Sequence, residues 1–389
     1  MGGAAFYDVA GVTFWLFIAV AVLLMNATPT GMARKSLLAF LNLGFCALVV
    51  GLPAAVVVAV LLFLLHGVIR MPRRTPRRMA LAVTALALLA AFLFHKWPAS
   101  GSESTLEAAL AALGFSYIAL RVVEVLRAAA EVAPDESALV DTVNYVIPFH
   151  MLMAGPIMAL ADHRRESSVS TALDGEVVLI AFERIARGLF KKFVLANGLI
   201  DTVFLTGFQS EGVHWLLEVQ MYYLFIYLDF SAYSDIAVGI GRLLGVPTPE
   251  NFKRPLLARN IVSFWERWHI SLSQFIRRNV FIPVQLAGMR LTRGQHALWV
   301  AAVAFTVSFA LCGLWHGLSW RFLLWGLGHA AALIVCNLYR QFLLRRLGAQ
   351  GLTRYLARPG VRVVSTILTF EFVAFSLAFL ADPALKHLD

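Results

Sequence analysis

Two histidines lie in apolar and aromatic surroundings where their ring nitrogens could move a proton. His316 is the central residue of a Trp-His-Gly motif that closes a long apolar run, and His269 lies 47 residues upstream in a stretch rich in Trp, Arg and Ser. Histidine is the one side chain whose unperturbed pKa lies near neutrality, so it can exchange a proton without burying a permanent charge. A histidine at membrane depth points to function. The pair therefore predicts chemistry performed inside a membrane.

Each histidine also has a purely structural interpretation, in which the imidazole bonds to a neighbouring carbonyl. Around His316, Gly313 and Gly317 are expected to give a ligand room to approach the backbone. His329 is typical of a packing or supporting group. His150 precedes a Gly-Pro pair that must break a helix, which indicates cavity lining or structure.

The segment around His269 must position that ring. If residues 264–278 form one helix, apolar residues at spacings of three and four share one face and charged residues occupy much of the rest. Such a helix lies along a membrane interface or lines a funnel, and an interfacial anchor is as consistent with this pattern as a site. The apolar face carries Trp265, Trp268, Leu272 and Phe275.

A second element carries polar side chains every four residues. Tyr223, Tyr227, Ser231 and Asp235 would form a stripe on an otherwise apolar helix. Polar stripes in membrane helices face protein or water, so Tyr227 and Asp235 are expected to line a passage; hydrogen bonds between helices would explain them equally well.

The whole chain is far more apolar than a soluble domain. Of its 389 residues 60% are hydrophobic and 14% charged, and the apolar residues come in blocks long enough to cross a bilayer. We therefore predict an all-α, polytopic membrane protein. The predicted spans are Val9–Met25, Ser36–Ile69 with a hinge at Gly51 and Pro53, Ala80–Phe94, Trp215–Leu228, Ala297–Leu311, Phe322–Leu338 and Val363–Leu380.

The net charge of +10 does not indicate nucleic-acid binding, because the basic clusters flank the predicted spans. Basic loops of this kind face the cytoplasm, which would place both chain termini outside. Asp8 and the absence of a basic stretch before the first apolar run favour a retained first helix over a cleaved signal peptide. Between residues 105 and 212 the pattern is interrupted, which favours short or re-entrant helices. The three cysteines lack metal-like spacing, and we predict no metal and no bound cofactor.

Four motifs, in their order and spacing, resemble the membrane-bound O-acyltransferases. They are Leu-Asp-Phe-Ser-Ala-Tyr-Ser-Asp from Leu228, Glu-Asn-Phe-Lys-Arg-Pro from Glu250, Phe-Trp-Glu-Arg-Trp-His-Ile-Ser-Leu-Ser from Phe264 and Gly-Leu-Trp-His-Gly from Gly313. Met-Ala-Gly-Pro-Ile from Met153 and Gly-Leu-Phe-Lys-Lys from Gly188 add a likeness to the bacterial branch typified by the alginate O-acetylation membrane protein. The likeness is expected to extend from about Gly114 to Phe379.

This resemblance implies a helical bowl with a central funnel and tunnel, built from about 9–12 transmembrane or re-entrant helices. It implies that His316 is catalytic and that His269 lines the same channel. We expect one integral-membrane domain over residues 1–389, with peripheral helices at 1–105, the catalytic core at 106–345 and a basic loop and last helix at 346–389. The other residues expected to line the substrate tunnel are Asn251, Trp265, Trp268, Ser271, Trp315, Tyr227 and Asp235.

The resemblance also implies the reaction. An acyl group, expected to be acetyl, would move from a cytoplasmic thioester such as acetyl-CoA to a hydroxyl of an extracytoplasmic polysaccharide or wall polymer. The expected location is the bacterial inner membrane, with a periplasmic esterase-like acyltransferase or a glycan synthase complex as partner.

For the mechanism we expect His316 to act as general base, with His269, Ser271 or Asn251 orienting the reactants or stabilising the oxyanion. A transient acyl-histidine is the alternative. Lys253 and Arg254 could attract donor phosphates or form a solvated basic face. Two other classes stay open: a proton-coupled transporter or flippase that uses the histidines as a relay, and a non-catalytic scaffold for a polysaccharide synthase.

Overall fold

The structure, a computed structural model, describes residues 11–72, 75–96, 113–131, 138–166, 173–201 and 213–381. Every regular element in these ranges is a helix, which confirms the all-α class. Seven of the described helices are long and apolar enough to cross a membrane. The chain divides into two compact units, Met1–Ala186 with Asp235–Pro249 and Arg187–Ser234 with Glu250–Asp389. The expected boundaries at residues 105 and 345 stay a prediction.

The first unit begins with four apolar helices followed by shorter ones. In chain order these helices are α1 (Val12–Ala27), α2 (Met32–Val50), α3 (Leu52–Arg70), α4 (Thr75–Lys96), α5 (Phe115–Glu131), α6 (Leu139–Val146), α7 (Leu160–Glu166) and α8 (Gly175–Leu189). A π-helical segment, Phe190–Asp201, continues α8 into the second unit. The predicted hinge is confirmed: α2 and α3 meet at Gly51, whose φ of 84° is a left-handed conformation that favours glycine. Pro53 follows in the first turn of α3, where its missing N–H costs nothing.

The interrupted region contains a break that polar groups satisfy. After α6 the chain makes one turn of 3-10 helix, Phe149–Met151, and then runs irregularly to α7. Arg121 of α5 is 1% exposed and donates to the carbonyls of Val146, Met151 and Pro156 at 3.4, 2.6 and 3.3 Å. Irregular backbone is tolerated at membrane depth only where its polar groups find partners inside the protein. The guanidinium therefore explains how this break is accommodated.

The long helix α9 (Val213–Leu244) continues well beyond the predicted span that ends at Leu228. Its residues up to Ser234 belong to the second unit and those from Asp235 to the first. The remaining helices of the second unit are a 3-10 turn (Pro255–Leu257), α10 (Ile261–Trp265), α11 (Ile270–Ile276), a π-helical turn (Arg277–Phe281), α12 (Ile282–Leu291), α13 (Ala297–His316), α14 (Trp320–Ala357, with a non-helical residue at Gly348) and α15 (Pro359–Ala381).

Helices α13 and α14 pack closely through two glycines. A Cβ on Gly313 would overlap the carbonyl oxygen of Phe322, and a Cβ on Gly326 would overlap that of Phe309. Small residues at a membrane-helix crossing let the two backbones approach each other. This crossing fixes the end of α13, and with it His316, against the first turns of α14.

Candidate functional site

His316 is the last residue of α13, and its side chain is exposed. Three aromatic rings surround it: the centroids of Trp315, Trp325 and Phe322 lie 4.7, 5.4 and 6.3 Å from the imidazole centroid. The ring is thus held by its neighbours and still open to a substrate. That combination is what a proton-transfer group requires.

The two glycines beside His316 have a different role from the predicted one. The space at Gly317 is filled by the ring of Phe322, which a Cβ would overlap, and the space at Gly313 is filled by α14. The prediction that they leave room for a ligand is therefore wrong. They are glycines because α14 packs against the backbone at these positions, which orients His316.

The predicted helix over residues 264–278 is also wrong, because the chain breaks between Trp265 and Ile270. His269 lies at the break with φ 43° and ψ 51°, a left-handed conformation that is uncommon outside glycine. Hydrophobic periodicity cannot reveal such a residue, because the apolar side chains on both sides are buried in either arrangement. The break lets His269 precede α11 as its N-terminal flanking residue rather than lie on the side of a longer helix.

Asn251 holds this break in place. Its backbone carbonyl accepts from the N–H of Ile270 at 3.0 Å, and its side-chain oxygen accepts from the N–H and the hydroxyl of Ser271 at 3.1 and 2.7 Å. A backbone N–H can only donate, so the atom facing Ser271 is the amide oxygen and the Nδ2 atom faces elsewhere. That nitrogen is buried and has no hydrogen-bond partner among the described residues. Asn251 therefore offers a free donor, whereas the Ser271 hydroxyl is already committed.

His269 is 3% exposed and packs edge-on against Phe230, with ring centroids 4.7 Å apart. Burial, with a smaller contribution from the positive charge that His316 can carry, lowers the pKa of His269 to about 3. The ring is therefore uncharged at neutral pH. The electrostatic effect also means that the structure brings the two predicted histidines near each other.

A third histidine, His329, belongs to the same surroundings. It lies one helical turn after Trp325, with ring centroids 4.7 Å apart, and Trp265 lies 5.3 Å from it. Its Nε2 atom is 3.1 Å from the hydroxyl of Ser376, which itself donates to the carbonyl of Val373 at 2.8 Å. The serine must therefore accept from His329, so an uncharged ring carries its proton on Nε2 and a lone pair on Nδ1.

Three ring nitrogens near His316 are buried without a hydrogen-bond partner among the residues that the structure describes. They are Nδ1 of His329 and the indole nitrogens of Trp265 and Trp325. Buried polar atoms without partners are uncommon and are often found at functional sites. Trp325 was not singled out from the sequence, although its spacing of four from His329 on a helix would have paired them.

Other predicted tunnel residues form a second aromatic cluster. Trp268 lies 6.2 Å from Tyr227, 5.1 Å from Phe252 and 5.6 Å from Phe264, measured between ring centroids. Tyr227 is half-buried and Trp268 is buried. Phe264 adjoins Trp265 at 5.4 Å, so this cluster continues into the rings beside His316.

Asp235 has a partner in the first unit. Its carboxylate accepts from Nε of Arg184 at 2.6 Å, and the polar stripe continues in the second unit with Lys191 bonded to Ser231 at 3.2 Å and Lys192 paired with Asp229. These pairs fit the alternative weighed for this stripe, hydrogen bonds between helices. His150 likewise bonds to Thr248 at 3.1 Å within the first unit.

The comparisons with known proteins agree with the motifs. The model of the family described as MBOAT, membrane-bound O-acyltransferase, matches residues 6–353. The match begins near the N-terminus, so the prediction that the likeness starts only at about Gly114 is wrong.

In the part of the chain that the structure describes, no group of three or more His, Cys, Asp or Glu could hold a metal ion.

Three similar bacterial proteins carry names that refer to envelope polymers. The teichoic acid D-alanyltransferase of Bacillus subtilis is 24% identical over 71% of this chain and 70% of that protein. The probable alginate O-acetylase AlgI of Azotobacter vinelandii is 33% identical over 52% of this chain and 39% of that protein. The peptidoglycan O-acetyltransferase of Helicobacter pylori is 30% identical over 62% of this chain and 44% of that protein. The chain thus aligns with less than half the length of the two O-acetylating relatives.

Proposed function

The chain belongs to the membrane-bound O-acyltransferase family, and from that membership we propose that it transfers an acyl group to a hydroxyl of a cell-envelope polymer. The observation that carries the proposal is the accessible imidazole of His316, held by aromatic rings near the buried, uncharged His269. Relatives named for alginate, peptidoglycan and teichoic acid support a polymeric acceptor.

In the proposed reaction His316 removes the proton from the acceptor hydroxyl while the oxygen attacks the thioester carbonyl. The tetrahedral intermediate then collapses, the C–S bond breaks, and the proton passes from the imidazolium to the departing thiolate. General base action of this kind contributes on the order of a hundred- to ten-thousand-fold. A transient acyl-histidine would use the same ring as nucleophile.

The developing oxyanion requires a donor that is not already committed. Asn251 Nδ2 meets that requirement better than Ser271, whose hydroxyl donates to Asn251. We assign His329 a positioning role: it packs on Trp325, which in turn contacts the ring of His316.

The finer details of the proposal concern location and donor. Acetyl-CoA, or another cytoplasmic thioester, supplies the acyl group, and the protein crosses the bacterial inner membrane with the acceptor outside. A periplasmic esterase-like acyltransferase or a glycan synthase complex would complete the delivery. The predominance of O-acetylating relatives supports acetyl as the transferred group.

The test is donor turnover by purified protein in lipid nanodiscs. With labelled acetyl-CoA as donor and an isolated cell-envelope polymer fraction as acceptor, we expect label to leave the donor and free thiol to appear in equal amounts. His316→Ala should lower this rate at least about a hundredfold, whereas His214→Ala, which removes another exposed histidine, should leave it unchanged. Turnover by His316→Ala at the unsubstituted rate would contradict the proposal.

The same purified protein, reconstituted into sealed vesicles instead of nanodiscs, tests the transporter alternative. A carrier that relays protons through these histidines would move solute across sealed vesicles without any acyl donor. We expect no flux that is independent of the donor. A non-catalytic scaffold would show neither flux nor turnover, and His316→Ala would then have no effect.

A further inference from the structure

A partly open cavity in the first unit has no part in the proposed reaction. Its volume is about 420 Å³, and it lies where the C-terminal end of α1, the N-terminal end of α2 and the residues that follow α9 come together. Two hydrogen bonds join these ends: Asn26 donates to the carbonyl of Leu243 at 2.9 Å, and Arg34 donates to that of Leu244 at 3.0 Å.

The charged side chains that line this cavity carry a net positive charge. Arg34 and Lys35 supply two positive charges, and Asp141 offsets one of them by pairing with Lys35 at 2.9 Å. A guanidinium has five N–H donors, and the bond to Leu244 uses one, so most of the donors of Arg34 stay available. Asn144, by contrast, is satisfied, because it accepts from Asn42 and donates to the carbonyl of Lys35.

His163 also lines the cavity, and it carries no charge there at neutral pH. Its pKa is lowered to about 4, mainly by burial. The nearby charge of Asp141 acts in the opposite direction, and the charges of Lys35, Arg164 and Arg121 act in the same direction as burial. An uncharged imidazole can still donate one N–H. The net charge of the lining is thus +1, from Arg34, Lys35 and Asp141.

The start of α2 adds backbone donors at the same place. In the part of the chain that the structure describes, no side chain caps this helix, so the N–H groups of its first turn lack that usual partner. Gly31, the N-cap, has φ 102°, and no atom of the described residues lies within 4 Å of the position that a Cβ would take. Free N–H groups at a helix start favour an anion, and phosphate in particular.

Apolar side chains form the rest of the wall. Met25, Met32, Leu38, Val246 and Pro247 line it. A free inorganic anion would gain nothing from these residues, whereas the glycerol and first methylenes of a phospholipid would contact them. Basic pockets among membrane helices on the cytoplasmic side recognise anionic headgroups. Arg34 and Lys35 lie in the first turn of α2, at the end of that helix expected on that side.

We propose that this cavity binds the phosphate of an anionic phospholipid in the cytoplasmic leaflet. Arg34 is the main ligand of the phosphate, with the first turn of α2 and His163 as further donors. The ion pair with Asp141 holds Lys35 and limits the positive charge that the lipid meets.

Two variants change the charge of the cavity in opposite directions. Arg34→Gln removes the main positive charge and should weaken phosphatidylglycerol binding about fivefold. Asp141→Asn releases Lys35 and should strengthen binding about fivefold, while its side-chain oxygen can still accept from the N–H of Ala138. Arg358→Gln is the matched control, since it removes an exposed positive charge that does not line the cavity.

The measurement is retention of phosphatidylglycerol by detergent-purified protein, followed by native mass spectrometry, with phosphatidylcholine and glycerol 3-phosphate as separate arms. We expect the protein to retain phosphatidylglycerol but not the other two compounds. Asp141→Asn should retain the most, the unsubstituted protein and Arg358→Gln equal and intermediate amounts, and Arg34→Gln the least. Equal retention by the two cavity variants would overturn the site, and equal binding of glycerol 3-phosphate would overturn the assignment to a lipid. Because no acyl donor is present, the result is independent of the proposed reaction, and Asp141→Asn keeps the test decisive if Arg34→Gln fails to fold.

Discussion

His316 and His269 have opposite surroundings, and this contrast supports the different roles that we propose for them. The ring of His316 is exposed and held by aromatic neighbours, whereas His269 is buried in a left-handed backbone conformation. Residue types and motifs were enough to predict this pair. They could not reveal that Asn251 determines the position of His269, because that depends on hydrogen bonds between segments that are separate in the sequence.

At the residue scale, Asn251→Ala should lower the free energy of unfolding by more than the small number of atoms removed suggests. The change leaves the buried N–H and hydroxyl of Ser271 without their acceptor, which costs about 1–3 kcal/mol for each group. Ser271→Ala is the matched control, since it removes only the hydroxyl bond and should cost about 0.5–1.5 kcal/mol. The unfolding temperature in detergent and the rate of donor turnover should both be lower for Asn251→Ala than for Ser271→Ala. Equal losses in the two variants would mean that Asn251 does not hold the break at His269.

Acid should destabilise the protein through buried histidines. The unfolded chain binds a proton at His269 below about pH 6.5, but the folded protein does so only near its lowered pKa of about 3. Between these values the unfolded state holds more protons, so stability is complete above pH 6.5 and falls as the pH drops. At pH 5 the free energy of unfolding is lower by about 2 kcal/mol because of this residue. His150, with its pKa lowered to about 3 by burial and by Arg121, and His163 add losses of the same sign.

The measurement is the unfolding temperature in detergent at pH 7 and pH 5. His269→Gln lacks the titrating ring. Its unfolding temperature should therefore fall less between pH 7 and pH 5 than that of the unsubstituted protein, whatever its stability at pH 7. An unchanged decrease would show that His269 is charged, or accessible to protons, in the folded state.

At the scale of elements, glycine positions link sequence to geometry. The apolar blocks predicted most spans and the hinge at Gly51, because membrane helices must be long and continuous. The predicted helix over residues 264–278 was wrong because periodicity does not encode a single left-handed residue such as His269. Gly313 and Gly317 were assigned to ligand access, and only the position of α14 shows that they serve packing.

Gly313→Ala should separate α13 from α14. The new methyl group would overlap the carbonyl oxygen of Phe322, so the helices must move apart and the end of α13 with them. We expect the free energy of unfolding, followed by thermal unfolding, to fall by about 1–3 kcal/mol. Donor turnover in the labelled-donor assay should also decrease.

The matched control is Gly328→Ala in α14, where none of the residues that the structure describes comes within 4 Å of the new atom. Alanine is the better helix former by about 1 kcal/mol, so this variant should be neutral or slightly stabilised. If both substitutions have the same effect, the close crossing at Gly313 does not exist.

At the scale of the whole molecule, composition predicted a multi-pass membrane protein, because so apolar a chain cannot bury its surface in any other way. The family match extends this conclusion over residues 6–353. The two compact units were not predicted. Residues 235–249 join the first unit although they are distant in the sequence, and no local pattern records such contacts.

The central claim is that the protein, with His316 as the general base, transfers an acyl group from a thioester on one side of the membrane to a hydroxyl on the other. The most direct test uses inverted membrane vesicles from bacteria that make the protein, with the cytoplasmic face outward and the native envelope material inside. Labelled acetyl-CoA, which cannot cross the membrane, is added outside, and base-labile label inside the vesicles is measured. Label should accumulate with the unsubstituted protein and with His214→Ala and be absent with His316→Ala; equal accumulation with His316→Ala, or none with the unsubstituted protein, would contradict the account.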